Sequence, residues 1–279
     1  MTRARTERLL VERVDRGDDG WTRGRRPDDL IVEEPMTVQL DGTVVTTTMR
    51  TPGHDYELAA GFCFTDGLLA GAPVHGIRYC ADGSAVDSQF NVVTVETGGV
   101  APTPTPRLGT TSSSCGWCGS DQLTELADRL DPLPPYEPFP LDVLASVTDR
   151  VIDDQSLFAR TGSVHAAAAF DRTGTPVVIR EDVGRHNAVD KVIGSLLLDR
   201  PSRVPADDLG LFVSGRASIE MVQKAWSAGF HTLVAVSAPT SLAVRAARRA
   251  GLVLAGFVRP DGFNVYSAPT EADGRNLGS

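Results

Sequence analysis

The chain has 279 residues, of which 41% are hydrophobic and 23% are charged, so it holds enough apolar material for a full globular core. Its 27 basic and 36 acidic residues give a net charge of −9, which argues against a non-specific nucleic-acid binder. No apolar run approaches the length of a membrane span, and no hydrophobic signal-peptide core follows the first arginines. With four cysteines and no export signal, we expect a cytoplasmic protein.

Residues 1–29 mix many arginines with acidic residues and are predicted to form a solvated arm around one strand. Residues 30–130 are predicted to form a small α+β domain. Its expected elements are a β-hairpin over 30–50 that turns at Asp41-Gly42, a helix over 55–64, short strands over 77–80 and 91–96, and a helix over 121–130.

The segment 97–114 is rich in glycine, proline and hydroxyl residues and is predicted to be a long loop. Cys115-Gly116-Trp117-Cys118 follows it, just before the predicted helix over 121–130. A helix N-terminus lowers the pKa of a nearby thiol, so Cys115 and Cys118 are candidates for redox or sulfur chemistry. Three alternatives stay open on the spacing alone: a redox-active disulfide, a structural zinc site that would need two further ligands, and inert thiols.

Residues 131–140 contain five prolines and are predicted to be a linker. Residues 141–279 are predicted to form an α/β domain. Its expected elements are a helix over 142–158, strands over 163–170 and 177–180, a helix over 187–198, and alternating strands and helices over 211–214, 218–228, 232–237, 241–250 and 253–257. This alternation predicts parallel strands joined by right-handed crossovers.

Ligands of parallel sheets bind beyond the carboxyl ends of the strands. The carboxyl ends of three successive predicted strands carry polar residues. They are Ser214-Gly215-Arg216 at the first end, Ser237, Thr240 and Ser241 at the second, and Arg259 with Asp261 and Asn264 at the third. These residues and the two helix N-termini beside them suit a phosphorylated ligand. The alternative is that the hydroxyl groups only cap helices and the charges only form surface ion pairs.

A second polar concentration covers residues 180–187, where five charged residues, a histidine and an asparagine surround Gly184. A solvated loop and a functional segment are both compatible with this composition. His186 is a candidate for proton transfer, because histidine titrates near neutrality.

His165 falls in a pattern that partly matches the zinc nucleobase deaminases, which use His-x-Glu and a later Cys-x-x-Cys. Ala167 occupies the glutamate position, and no cysteine follows Cys118. Hydrolytic deamination is therefore excluded, and we interpret His165 as a core histidine.

Several segments together resemble the FdhD family, the formate dehydrogenase accessory sulfurtransferases. The resemblance covers residues 30 to about 267, and its most specific parts are REDVGRHNAVDK and CGWCG. The matching segments are TPGHDYELAAGF (51–62), TSSSCGWCG (111–119), TGSVHAAA (161–168), REDVGRHNAVDKVIG (180–194), VSGRASIEMVQKAW (213–226) and GFVRPDGFNVYS (256–267).

The resemblance implies a sulfurtransferase that takes sulfur from a cysteine desulfurase and passes it to the bis-guanine-dinucleotide form of the molybdenum cofactor, bound as substrate, for formate dehydrogenase. It implies a homodimer whose C-terminal α/β/α domain is similar to the cytidine deaminase fold. By motif, Cys115 would bear the persulfide and Cys118 would assist it. The cofactor-binding segment would be Phe257, Val258, Arg259, Pro260, Asp261 and Gly262, where Pro260 and Gly262 depart from a pattern that is often richer in glycine and arginine.

We therefore expect the Cys115 thiolate to accept sulfur while the guanine dinucleotides lie along Arg216, Ser237, Thr240 and Arg259. No resident metal, zinc included, no nucleic acid and no membrane is expected. Two alternatives remain. One is a cofactor-binding chaperone whose cysteines are structural, and the other is a thiol–disulfide oxidoreductase.

Overall fold

A computed structural model describes residues 3–80, 85–86, 88–104 and 119–268 of the chain. The described chain begins with a two-stranded antiparallel hairpin of β1 (Thr6–Gly17) and β2 (Gly20–Ile31). The sequence predicted one strand in this arm. A second strand forms because the chain reverses over the two residues between Gly17 and Gly20, with Gly20 at a φ of 115°.

A four-stranded sheet with one covering helix follows the hairpin. The strands are β3 (Glu34–Leu40), β4 (Thr43–Arg50), β5 (Gly76–Tyr79) and β6 (Val92–Glu96), and the helix is α1 (Asp55–Thr65). The order in the sheet is β4-β3-β6-β5, and β3 runs parallel to β6. The predicted hairpin turn at Asp41-Gly42 is confirmed, with φ angles of 46° and 85°. Apolar residues of the sheet, such as Met36 and Val93, pack under α1.

Three helices connect this sheet to the second one. They are α2 (Gly119–Arg129), α3 (Leu141–Ile152) and α4 (Ser156–Thr161). The prediction of a single helix over 142–158 was wrong, because α3 ends at Ile152 and a separate helix, α4, begins at Ser156. The Glu181 carboxylate accepts hydrogen bonds from the backbone N–H groups of Leu157 and Phe158, which fixes the start of α4.

The second sheet has six strands and an order of β12-β11-β10-β9-β7-β8. The strands are β7 (His165–Phe170), β8 (Pro176–Asp182), β9 (Gly210–Val213), β10 (Thr232–Ala235), β11 (Val253–Arg259) and β12 (Gly262–Ser267). The predicted parallel pairing of β9, β10 and β11 is confirmed. β12 was not predicted, and it pairs antiparallel to β11, so that Asn264 lies in a strand rather than in a loop.

Helices cover both faces of the six-stranded sheet, as the predicted α/β/α architecture requires. On one face lie α5 (Arg185–Asp199), α6 (Ile219–Ser227) and α7 (Ser241–Ala250), which pack against alternate strand residues such as Leu211 and Leu233. On the other face α3 packs against the intervening residues, such as Phe212 and Val234. None of the helices in the described part of the chain has the length and apolar character needed to cross a bilayer.

The two sheets are joined where α1 packs against α5. A Cβ atom on Gly61 would overlap the backbone of Asp190, and one on Gly194 would overlap the backbone of Glu57. Only glycine allows the two helices to approach this closely. The proline-rich segment 131–140 is also packed, since the Trp226 indole donates to Asp131 O and the Tyr136 hydroxyl donates to His231 O.

Candidate functional site

One edge of the six-stranded sheet brings together the strand ends singled out from the sequence. We call this edge the rim and define it as residues 165, 182–187, 214–218, 236–240 and 256–259. Backbone hydrogen bonds link its segments, from Ser214 N to Ala166 O, from Ser237 N to Gly215 O and from Phe257 N to Ser237 O. The rim therefore places Arg216, Ser237, Thr240 and Arg259 on one edge.

The residues predicted to bind the cofactor differ in how accessible they are. Ser237 is half-buried. The side chain of Val258 is fully buried in the core against α3, so only its backbone faces the rim. Arg259 Nη1 donates to Val236 O at 2.9 Å, which holds this guanidinium at the rim. The exposed members of the set are Arg216, Thr240, Phe257, Arg259, Pro260, Asp261 and Gly262.

Three helices, α5, α6 and α7, begin at the rim. The first backbone N–H groups of a helix have no partner within the helix, and they give this end a partial positive charge. Thr240 caps α7 by accepting from Ala243 N at 3.2 Å, as the helix-capping alternative expects. Ser218 occupies the same position before α6 but makes no side-chain cap, so capping does not explain this hydroxyl group.

Three buried polar atoms at the rim, Arg185 Nε, His186 Nε2 and Ser218 Oγ, make no hydrogen bond of normal length and angle to the described residues, although His186 and Ser218 both interact with the Glu220 carboxylate. Buried polar atoms in native proteins nearly always have a partner. These atoms lie beside the N-termini of α5 and α6. Together they suit a polar, negatively charged ligand.

The charges at the rim are coupled. His186 Nε2 lies 4.0 Å from Glu220 Oε2, and this imidazole lowers the pKa of Glu220 to about 2. Burial lowers the pKa of His165, and the nearby Arg185 and His186 lower it further. His165 therefore favours its neutral form while Glu220 stays ionised. Glu220 was not predicted from the sequence, because an acidic residue in the first turn of a helix is also common for stability alone.

A cavity of about 390 Å³ lies between the N-terminal sheet and the starts of α5 and α6. Val183, Gly184, His186 and Asn187 belong both to the wall of this cavity and to the rim, so the cavity and the rim are adjacent. Its wall combines carboxylates, hydroxyl groups and apolar side chains. They come from Glu33, Val38, Thr46, Thr47, Thr48, Met49, Leu58, Phe62, Asp66, Val183, Asn187, Asp190, Glu220, Gln223 and Lys224.

The polar segment 180–187 is not a solvated loop. Asp182 is fully buried and pairs with Lys191 at 2.6 Å, and its carboxylate also accepts from the backbone N–H of Thr51. Asn187 donates to Met49 O at 2.8 Å. These residues position the first turn of α5, and with it Arg185 and His186, against the N-terminal sheet.

Cys115 and Cys118 lie outside the described residues, so their predicted roles stay predictions. Of the described cysteines, Cys63 is fully buried in α1, and burial raises the pKa of its thiol, which makes it an inert core residue as expected. Cys80 is half-buried, with its Sγ 2.7 Å from Ser88 Oγ.

Comparison with known proteins agrees with the segments described above. The model of the FdhD/NarQ family matches residues 31–273. The "Sulfur carrier protein FdhD" of Corynebacterium efficiens is 42% identical, with 94% of this chain and 97% of the relative covered. The protein of the same name from Nocardia farcinica is 48% identical over 87% of this chain and 88% of the relative. A crystal structure from Desulfotalea psychrophila, of a protein assigned as a formate dehydrogenase accessory protein, is 27% identical, has a TM-score of 0.73 and covers 94% of this chain and 98% of that one. The chain belongs to the FdhD/NarQ family.

Proposed function

We propose that this protein is a sulfur carrier that serves formate dehydrogenase. In this proposal Cys115 accepts sulfur from a cysteine desulfurase, and the sulfur passes to the bis-guanine-dinucleotide molybdenum cofactor, which is bound as substrate. The names of its relatives support the carrier role. The main support for the binding step is the composition of the rim, where three helix N-termini lie beside buried polar atoms that make no normal hydrogen bond.

The rim offers the chemistry that a dinucleotide needs. Diphosphate groups bind well at helix N-termini, and the arginines Arg216 and Arg259 add charge-assisted hydrogen bonds. Phe257 is 47% exposed and has a φ of 54°, a conformation that is uncommon for an aromatic residue. Its exposed ring suits stacking against a purine base.

Helix α2 supports delivery of sulfur toward the rim. The chain that follows α2 lies beside the last residue of α7, because Leu133 N donates to Ala250 O at 2.8 Å, and the two helices are in contact. We infer that α2 runs in the same general direction as α7, so that Gly119 lies on the side where α7 begins. Cys115 precedes Gly119 by four residues, a reach of roughly 14 Å in extended chain.

The proposed sulfur transfer uses both cysteines of the motif. The Cys115 thiolate attacks the outer sulfur of the desulfurase persulfide, a new S–S bond forms, and the desulfurase cysteine leaves as a thiolate. The Cys118 thiolate then attacks Cys115 Sγ. This forms a Cys115–Cys118 disulfide and releases sulfide, which becomes the ligand of the bound molybdenum. A cellular dithiol reductant regenerates both thiols for the next cycle.

Mass spectrometry after incubation with desulfurase and cysteine tests the sulfur step. We expect the wild-type protein to gain one sulfur, Cys115→Ala to gain none, and Cys118→Ala to load normally but fail to release sulfide. Cys80→Ala is the matched control, because Cys80 is a half-buried free thiol that does not belong to the Cys-x-x-Cys motif. Undiminished loading of Cys115→Ala would refute the assignment. Full activation of formate dehydrogenase by Cys115→Ala, with loss of activation in Arg259→Ala, would favour a cofactor-binding chaperone, whereas protein disulfide reduction without any desulfurase would favour a thiol–disulfide oxidoreductase.

Binding of guanosine diphosphate tests the rim. We expect Arg259→Ala to weaken binding about ten-fold or more, because a charge-assisted hydrogen bond to phosphate is lost. Arg249→Ala is the control, since Arg249 is also exposed but lies in the last turn of α7, at the end of the helix away from the rim. Equal affinities of the two variants would place the dinucleotide elsewhere.

A further inference from the structure

The cavity between the N-terminal sheet and the starts of α5 and α6 differs from the rim in charge. Four acidic residues line it, namely Glu33, Asp66, Asp190 and Glu220. Among the described residues of its wall, Lys224 is the only lysine or arginine. The rim instead carries Arg216, Arg259 and three helix N-termini. Phosphate groups are therefore favoured at the rim and disfavoured in the cavity.

The positive charge of Lys224 is already balanced by a neighbouring carboxylate. Lys224 Nζ lies 2.8 Å from both carboxylate oxygens of Asp190 and donates to Thr65 Oγ1 at 2.9 Å. An ammonium group has three N–H donors, and these three contacts account for them. The pair therefore brings no net charge to the cavity, and the remaining acidic residues leave it negative. Such a cavity favours a ligand that donates hydrogen bonds and carries no negative charge.

Glu220 is the acidic residue best placed to recognise such a ligand. It lies in the first turn of α6, and its side chain is 39% exposed. The His186 imidazole lowers the pKa of Glu220 to about 2, so this carboxylate is ionised at neutral pH. An ionised carboxylate only accepts hydrogen bonds, and its two oxygens have room for about four donors. His186 and Ser218 use part of this capacity, and the rest can accept from two neighbouring N–H groups of a ligand.

The size and the apolar part of the wall suit a flat ring system. The cavity volume of about 390 Å³ lies in the range of small-molecule pockets. Met49, Phe62 and Val183 contribute apolar surface. A pterin is a flat bicyclic ring whose N3–H and 2-amino groups lie side by side along one edge. A carboxylate can accept from both groups at once, as it does from two N–H groups of arginine.

The position of the cavity relative to the rim indicates which part of a dinucleotide reaches it. Helix α6 follows β9, whereas Phe257 lies in β11, and β10 lies between the two strands. Neighbouring strands are about 4.8 Å apart, so the start of α6 and Phe257 are separated by roughly 10 Å across the sheet. In a pterin guanine dinucleotide the diphosphate lies between the two ring systems and can bridge such a distance. A guanine at Phe257, with its diphosphate at the helix N-termini, leaves the pterin beside the cavity.

We propose that the cavity holds the pterin ring of the substrate, with Glu220 accepting hydrogen bonds from the N3–H and 2-amino groups of the ring. This assignment rests on the proposed function, which supplies the substrate. Met49, Phe62 and Val183 cover the ring, and the diphosphate runs from the mouth of the cavity to the rim. Glu220 therefore selects the pterin end of the molecule, while Arg259 binds a phosphate.

The fluorescence of pterin at a fixed low concentration, titrated with the full chain, tests the proposal. Lumazine is the matched ligand, because a carbonyl oxygen replaces the 2-amino group and would face the carboxylate. We expect the wild-type protein to bind lumazine about ten-fold or more weakly than pterin. Glu220→Gln should bind pterin about ten-fold or more weakly than the wild type and lose the preference over lumazine, since a carboxamide can also donate. Glu137→Gln is the control variant, because Glu137 is 85% exposed and lies outside the cavity wall.

Guanosine has the same donor edge on a purine and serves as a competitor. We expect it to occupy the rim and to leave pterin bound. Displacement of pterin by guanosine, equal wild-type binding of pterin and lumazine, or no saturable pterin binding at millimolar protein would each overturn the proposal.

Sulfur loading of Cys115, measured by mass on the same Glu220→Gln protein, separates this proposal from the proposed function. We expect normal loading, because Glu220 takes no part in the attack on the desulfurase persulfide. Normal loading of the wild type without a preference for pterin would reject the pterin pocket alone. A preference for pterin without loading would reject the sulfur step alone and leave the pocket supported.

Discussion

Asp182 and Lys191 form an ion pair that is closed to water at the junction of the two sheets. Lys191 Nζ also donates to Thr51 O at 2.9 Å, and Asp182 also accepts from the backbone N–H of Gly184. Burial lowers the pKa of Lys191, while the facing carboxylate opposes this shift. Such a pair costs desolvation energy, and it persists only because further hydrogen bonds satisfy both groups. Its role is to hold the start of α5 in place, not to react.

Replacing Lys191 by methionine leaves the buried Asp182 carboxylate without its counter-charge. We expect the free energy of unfolding to fall by roughly 3–5 kcal/mol, measured by urea denaturation. The control is Arg203→Met, which breaks the exposed pair with Asp208 and should cost about 0–1 kcal/mol. Similar losses of unfolding free energy in the two variants would show that the buried ion pair contributes no more to stability than the exposed one.

At the scale of elements, the contact between α1 and α5 depends on glycine at both crossing positions. We expect Gly194→Ala to lower the free energy of unfolding by about 1–3 kcal/mol or more, because the added Cβ overlaps the Glu57 backbone and forces the helices apart. Gly24→Ala is the control, since nothing lies within 4 Å of its Cβ position in β2. Urea denaturation measures both, and an unchanged midpoint for Gly194→Ala would show that the helices adjust freely.

Local patterns in the sequence predicted the elements whose causes are local. The alternation of strands and helices after residue 210 and the Asp41-Gly42 turn were found because periodicity and turn residues determine them. The break between α3 and α4 was missed because its cause is distant: the Glu181 carboxylate that fixes α4 lies 24 residues from Leu157. β12 was missed because exposed and covered residues do not alternate regularly along it, which hides a strand pattern.

The candidate site likewise has one part that the sequence could predict and another part that it could not. The rim could be predicted because strand ends of a parallel sheet meet at one edge. The cavity could not, since it forms only when Thr46 to Met49 of β4 dock against Gly184 and His186. Nothing in local periodicity specifies how two sheets pack. The burial of Asn187 and Asp190 was hidden for the same reason, because their partners Met49 of β4 and Thr65 of α1 come from the N-terminal part of the chain.

At the scale of the whole molecule, the two sheets are joined by buried polar contacts, such as those of Thr51 with Asp182 and Lys191, and are expected to unfold together. Hydrogen exchange tests this. Amides of β6 in one sheet and β10 in the other should open with the same free energy, and Lys191→Met should lower both by the same amount. Faster exchange confined to β6 would mean that the N-terminal sheet opens alone.

Thr51 and Asp182, which meet at this junction, are 131 residues apart in the chain. Ribosomes add about 5–20 residues per second, so the first sheet emerges roughly ten seconds before its counterpart has been made. During that interval the face of α1 that contains Gly61 cannot pack against α5, because α5 has not yet been synthesised. The nascent chain must therefore pass through a half-built stage, in which a chaperone at the ribosome exit would find an uncovered apolar surface.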